Sequence, residues 1–472
     1  MSGSRLTDRA YRRIVNAWCV YDWANSAFAT TVMAALFPPF FRSLATAAGM
    51  PEGRATAAWA FTTAAALLIA ALIAPVLGAI ADATGSVKRH LAVFAGLGIL
   101  ATGSFVLIPA GNWILAAALF VAADIGFAAS IVFYESLLPH IARPGDIDRI
   151  STRGYALGYA GGGLLLALHA LWISQPSLFG MPGRDFAVRA AFASVAVWWA
   201  LFAIPFLRRV PEPGRGTGPV PAEPRREPHD GSVTVGRRMR TLRLELASPA
   251  HSITLALRRL WTTLHEMRRY RQLFAFLVAF WIYSDGIGTI IKMAVAYGDE
   301  LGISLTDLVR ALLLTQFIGI PCSLLFGAIA ARLGAKRGLL LGLAFYALIC
   351  AGGYFMRTAL HFYMLAAAVG LVQGGCQALS RSLFGSMVPR HKAAEFFGLY
   401  STSSRFAGIA GPVLFGLISQ AAGNSRLSIL ALIAFFAIGG ALLTRVNVAE
   451  GRRLAREAET HEADLVQARA LR

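Results

Sequence analysis

GAIADATGSVKR at residues 78–89 closes an unbroken apolar run, AAALLIAALIAPVLGAIA (64–81), and a shortened second version, GAIAARLGAKR at 327–337, closes another. Neither run has a polar face. A helix that is apolar all round is surrounded by lipid or by other helices, and about twenty such residues, rising 1.5 Å each, cross a ~30 Å hydrocarbon core. Runs of that length recur along all 472 residues, and the chain is 56% hydrophobic, against roughly 45–50% for a soluble domain. A membrane barrel would instead show ~10-residue segments of alternating polarity. The fold class is therefore all-α integral membrane.

Twelve spans are expected, at 14–40, 57–81, 90–109, 112–138, 152–173, 187–207, 272–296, 306–331, 338–356, 360–384, 395–420 and 425–445. Six fall on each side of one polar segment. This divides the chain into an N-terminal six-helix bundle (1–207), a linker (208–271), a C-terminal six-helix bundle (272–445) and a tail (446–472). The linker opens with PEPGRGTGPVPAEPRREPHDGS, too poor in apolar side chains to fold alone. Its second part, 235–270, sets Arg pairs beside Leu, Ile and Trp at helical spacing, the pattern of an amphipathic helix on a leaflet, or of a solvated connector that only enforces topology.

The formal charge of +19 would suggest nucleic acid in a soluble protein. Here the excess sits in loops beside spans, so it reports orientation, and placing both termini in the cytoplasm puts most of the Lys and Arg inside. The Arg- and Ala-rich composition suggests a bacterial inner membrane. The first apolar stretch is too long for a signal peptide and lacks a small-residue cleavage site, so it is read as the first span. Cys19, Cys322, Cys350 and Cys376 lie inside apolar runs and read as small hydrophobes. No metal spacing, nucleotide loop or nucleophile triad is present, so no cofactor and no enzyme activity are expected.

The two halves repeat. Besides the 78–89 and 327–337 segments, Pro139 and Pro389 close the fourth and tenth spans, and Ser-x-Arg triplets ending at Arg153 and Arg405 open the fifth and eleventh, all at offsets of about 250 residues. The first loop, with Gly78, Asp82, Gly85, Lys88 and Arg89, has the pattern G-x-x-x-D-x-x-G-x-x-K-R. It resembles the signature loop of the major facilitator superfamily. The physical logic is a latch: Gly78 allows close helix approach, Asp82 pairs with a cation or caps a helix of the facing half, and the basic pair stays at headgroup level. The second copy keeps Gly327, Gly334, Lys336 and Arg337 but has Ala331 in place of the acid, so the latch is expected to be asymmetric. YDWANSAFATTV (21–32), STRGYALGYAGGG (151–163), YSDGIGTIIKMAVAYG (283–298), QGGCQALSRSLFGSMVP (373–389) and EFFGLYSTSSRFAGIAGP (395–412) resemble the vacuole-effluxer-like branch of that superfamily. The resemblance implies a twelve-helix transporter of two pseudo-symmetric bundles, with amino acid efflux suggested by the fungal members.

Ionisable groups inside spans cost ~2.5–3.5 kcal/mol each on insertion scales and mark functional candidates. Asp22 and Asn25 share a face of span one. Asp124 and Glu135, three turns apart on span four, face one direction. Asp285, Thr289 and Lys292 stack along span seven, Gln373, Gln377 and Arg381 along span ten, and Arg405 lies in span eleven. The resemblance places spans one, four, seven and ten around a central chamber. A zwitterionic or anionic solute is then expected at Lys292, Arg381 and the glutamines, with Asp22, Asp124 or Asp285 taking a coupling proton. The alternative is that these charges form internal ion pairs that hold the helices in register. His169 and Trp198–Trp199 read as packing.

The expected function is a secondary transporter that moves a small polar solute by alternating access, coupled to protons and working as a single chain in the lipid bilayer, with no nucleic acid partner. A proton-independent facilitator and a non-transporting scaffold acting through the central segment are the alternatives.

Overall fold

The computed structural model describes residues 2–143, 145–213, 270–300, 303, 305–422 and 426–470, all helix, turn or coil without a strand among them. The expected amphipathic helix at 235–270 lies outside the described residues, as does the Lys292 side chain.

Among the described residues, twelve long helices of two bundles follow one another. Helix α1 (residues 2–47) joins Ser2–Ala27 to Phe37–Ala47 through a π-helical stretch, Phe28–Leu36. Pro38 and Pro39 cannot donate to the carbonyls four residues back, and the Phe37 N–H reaches Val32 O instead. The others of the first bundle are α2 (Glu52–Thr84), α3 (Val87–Gly103), α4 (Trp113–Ser136), α5 (Ile147–Ser174) and α6 (Arg184–Arg209). The second bundle holds α7 (Arg271–Glu300), α8 (Leu305–Leu333), α9 (Ala335–Tyr354), α10 (Ala359–Gly385), α11 (Ala393–Ala422) and α12 (Arg426–Arg445). The tail is a further helix, α13 (Val448–Ala470). By length and composition eleven of the described helices can cross a membrane. The exceptions are α13 and α11, which carries the polar run Ser401, Thr402, Ser403, Ser404 and Arg405.

The packing is duplicated. In the first bundle α1 packs on α5 and α6, α2 on α4, and α3 on α4 and α6. In the second, α7 packs on α11 and α12, α8 on α10, and α9 on α10 and α12. Adding six to each number turns the first set into the second. Contacts between the bundles obey the same exchange: α2 meets α11 as α8 meets α5, and α4 meets α11 as α10 meets α5. This is a pseudo-two-fold arrangement of parallel repeats.

Each bundle has its own core. In the first, Phe37 packs against Phe105 and Phe120 with ring centroids 4.5 and 4.9 Å apart. In the second, Tyr400 stacks on Phe280 and Phe384 at 4.3 and 4.8 Å. Leu72, Leu100, Val197, Leu348 and Leu360 are more than half exposed, a girdle of aliphatic side chains that suits only lipid.

The start of α1, the ends of α2, α4, α6, α8, α10 and α12, and α13 share one side, called here the terminal face. There α13 clamps the α10–α11 loop, with the Arg390 N–H on Glu459 Oε1 at 2.9 Å and Arg452 Nε on Ser386 Oγ at 3.1 Å.

Candidate transport chamber

A cavity of about 560 Å³ lies between the bundles, walled by α1, α4, α5, α7, α8, α10 and α11. On α1 it is lined by Asp22, Asn25 and Ser26, on α4 by Phe127, Ile131 and Glu135, and on α10 by Gln373, Gln377 and Arg381. These spacings of three and four residues put each set on one helical face. A narrower apolar pocket, about 190 Å³, branches from the chamber into the second bundle and shares Thr30, Ile291, Gln316 and Gln373 with it.

Arg381 forms the floor. Its side chain is 1% exposed, and its Nη1 and Nη2 donate to Asp22 Oδ2 at 3.2 and 3.3 Å. Nε donates to Ser151 Oγ at 2.9 Å and Nη2 to the Ser151 carbonyl at 2.8 Å. Ser151 Oγ in turn donates to Ala378 O at 2.7 Å. The guanidinium lies 4.4 Å from the Tyr155 ring centroid and 4.9 Å from that of Trp18, close enough for cation–π attraction. Tyr134 OH donates to Asp22 Oδ2 at 2.7 Å. A second carboxylate, Glu135, stands 4.0 Å from Nη1. Two acids from the first bundle thus share one cation of the second.

Asp124 and Arg405 also meet across the bundles, with Nη1 and Oδ2 3.6 Å apart. Arg405 lines the chamber, whereas Asp124 is buried behind it. Asp285 and Thr289 depart from the expected row. Tyr283, Ser284, Ile287, Gly288 and Ile291 take the chamber face of α7, and 100° per residue turns positions 285 and 289 away. Asp285 Oδ2 instead accepts the Gly411 N–H at 2.9 Å, and Thr289 Oγ1 donates to Asp285 O at 2.7 Å. Asn25 faces the chamber while donating to Tyr21 O at 2.8 Å. His169 is held by Thr31 at 3.2 Å and Ser194 at 2.6 Å, inside the first bundle.

The terminal face is closed by the loop that opened the sequence. Asp82 accepts the Ala394 N–H through Oδ1 at 3.2 Å and the Glu395 N–H through Oδ2 at 2.8 Å. These are first-turn donors of α11 that have no partner within their own helix, so a carboxylate of one bundle caps a helix of the other. A Cβ at Gly78 would run into the Ala394 carbonyl, which is why a glycine stands there. In the second copy Gly327 packs on the Thr152 side chain, and with Ala331 no cap is made. The conserved geometry of the repeats lies elsewhere: Gly85 and Gly334 both have positive φ, +63° and +86°, where a side chain is strained.

Lys88 Nζ donates to Val210 O at 2.8 Å, just past α6, and Lys336 Nζ donates to Thr444 O and Val446 O, each at 2.8 Å, at the end of α12. Each lysine closes the C-terminus of the sixth helix of its own bundle, where unpaired carbonyls and the macrodipole favour a cation. Glu212 completes the first arrangement by accepting the Lys88 N–H at 2.8 Å, and partial desolvation raises its carboxyl above the usual range although the side chain is exposed. Arg89 and Arg337 remain exposed.

Trp18, Tyr134, Ser151 and Tyr155 carry no charge that stands out in an apolar span, and only their contacts identify them. Among the described residues, the hydrogen bonds and ion pairs that join the bundles run from mid-helix positions, such as Thr402 Oγ1 on Ala71 O at 2.8 Å, to the terminal face.

The profile of the family described as "Vacuole effluxer Atg22 like" matches residues 52–456. An MFS-type transporter of Bacillus subtilis, YxiO, is 34% identical over 433 residues, 91% of this chain and 94% of that one. Autophagy-related protein 22 of Yarrowia lipolytica is 28% identical over 326 residues, 66% of this chain and 53% of that protein. Among solved structures, the proton:xylose symporter XylE superposes with a TM-score of 0.68 at 13% identity, covering 97% of this chain and 99% of that one. An outward-facing bacterial homologue of ferroportin gives 0.60 at 12% identity, covering 92% and 98%. Duplicated bundles, a polar chamber and a capped loop between the halves thus agree with sequence kinship, and the chain belongs to the Atg22-like vacuole effluxer family of major facilitator transporters.

Proposed function

We propose that this transporter is a proton-coupled carrier of a small polar solute that works by alternating access, with the Asp22–Glu135–Arg381 cluster as the coupling element. The cluster carries the reading. Arg381 is held by the first bundle only while the terminal face is closed, and two acids compete for it. When both are ionised, the guanidinium is firmly held at the floor of the chamber. A proton on Glu135 or Asp22 removes one counter-charge, loosens α10 from α1 and α5, and lets the terminal face open. The solute enters on one side of the chamber and leaves on the other.

Both termini belong on the cytoplasmic side of a bacterial inner membrane in this reading, because the basic loops lie on the terminal face. The described state is then open toward the exterior. The family description names an effluxer, which supports export, and an amino acid suits a chamber that offers both signs of charge. Reconstituted protein with Glu135→Gln tests the coupling. Solute should still exchange between compartments, but a pH gradient should no longer drive accumulation. Unchanged pH-driven accumulation in Glu135→Gln and Asp22→Asn would falsify proton coupling through this cluster and favour a facilitator.

A further inference from the structure

Two arginines border the chamber, and they are in opposite condition. Arg381 uses every nitrogen on Ser151 and Asp22, and aromatic rings cover it. Four of its five N–H donors are spent while the bundles stay together, and the fifth, on Nη1, has Glu135 4.0 Å away. Among the described residues Arg405 has one counter-charge, Asp124 at 3.6 Å. That pair makes no hydrogen bond: Arg405 Nε and both Asp124 oxygens are buried without a hydrogen-bond partner. A buried ion pair that leaves its donors unused is a poor device for stability, since desolvation then outweighs attraction.

We propose that Arg405 is the anion receptor of the chamber, and that the transported solute carries a carboxylate that displaces Asp124 from the guanidinium. The proposal rests on the transport reading above and names the solute's chemistry. Ser401, Ser404 and Gly408 line the chamber with Arg405, and Ser401 and Gly408, four residues before and three after it, share its stripe of α11. Two hydroxyl donors therefore border the same cavity as a planar fork suited to bidentate carboxylate binding. Glu135 stands about 16 Å further along α4 than Asp124, beyond the reach of the ammonium of an α-amino acid held at Arg405. The group that Arg405 itself recognises is the carboxylate, and the amine is not required for it.

Binding also acts on the fold. Arg405 belongs to the second bundle and Asp124 to the first, so a solute carboxylate that replaces Asp124 removes a contact between α4 and α11. Solute occupancy and bundle release become one event.

The test uses the full chain in detergent, with the apparent melting temperature read against sodium acetate, benzoate, L-phenylalanine and N-acetyl-L-phenylalanine, each beside its amide at equal ionic strength. At least one acid should raise the melting temperature by several degrees where its amide does not, and N-acetylation should not abolish the effect. Arg405→Gln should weaken that acid about tenfold or more, Arg405→Lys less, and Asp124→Asn should strengthen it about tenfold by removing the competing charge. The proposal is wrong if no acid outperforms its amide, if Arg405→Gln binds as the parent does, or if Asp124→Asn only lowers the melting temperature, as a register-holding pair would. Should the acids fail while reconstituted protein still moves a neutral solute, the receptor falls and the transporter stands. Arg405-dependent binding without flux has the opposite meaning.

Discussion

Replacing Asp22 by Asn should unlock the terminal face without dismantling the chamber. Asp22 Oδ2 accepts from Tyr134 OH at 2.7 Å and from Arg381 Nη1 and Nη2 at 3.2 and 3.3 Å. Asn keeps the shape and one acceptor, so the Tyr134 bond and the packing against Trp18 survive while the charge is lost. Two ion-pair bonds become bonds from the same cation to a neutral oxygen, each weaker by about 1–2 kcal/mol. Glu135, 4.0 Å from Nη1, recovers part of the attraction, which leaves a net loss of about 2 kcal/mol. Because the bonds join α1 to α10, the loss falls only on the conformation closed at the terminal face. An equilibrium penalised by about 2 kcal/mol moves about thirtyfold.

Spin labels at Arg9→Cys on α1 and Arg337→Cys on α9 report the separation of the bundles on that face. Both positions are exposed, and the four native cysteines are buried, so labelling is selective. Pulsed dipolar spectroscopy should show a longer-distance population grown about thirtyfold relative to the closed one. A distance distribution that coincides with that of the parent, in protein of matched melting temperature, would refute the assignment of Asp22 as the lock.

Asp82→Ala removes both caps on α11 and should cost the closed state about 1–2 kcal/mol, which the same labels read as a five- to thirtyfold shift in the same direction. A shift toward closure would mean that the Asp82 contact belongs to some other state. Lys336→Ala should lower the apparent melting temperature more than Lys88→Ala, since Lys336 Nζ makes two bonds to the end of α12 and Lys88 Nζ makes one past α6. Neither should change the inter-label distances, because each lysine stays within its own bundle.

The fold was legible because two strong signals coincide. Lipid forbids an unpaired backbone, so apolar runs of about twenty residues have only one structure available, and their count and repeat set the architecture. The loop motif was legible for a similar reason: a glycine with positive φ and an acid that caps a helix are local requirements with few alternatives. The chamber was less so. Charge marks Asp22, Glu135 and Arg381 in an apolar span, because burial of a charge needs a reason. Charge does not say which way a side chain points. Asp285 and Asp22 look alike in the sequence, yet one faces Gly411 inside a bundle and the other faces Arg381 across the chamber.

Sequence alone therefore determined that this chain crosses the membrane about twelve times in two related halves, since hydrophobic length and internal repetition are properties of the chain in one dimension. Tertiary structure alone decided the partners: that Arg381 is filled by Asp22, Ser151 and three aromatic rings, that Arg405 meets Asp124, and that the motif lysines close helix ends. Pairing depends on the rotation and approach of helices hundreds of residues apart, and those are fixed by side-chain packing between bundles, which no single segment encodes.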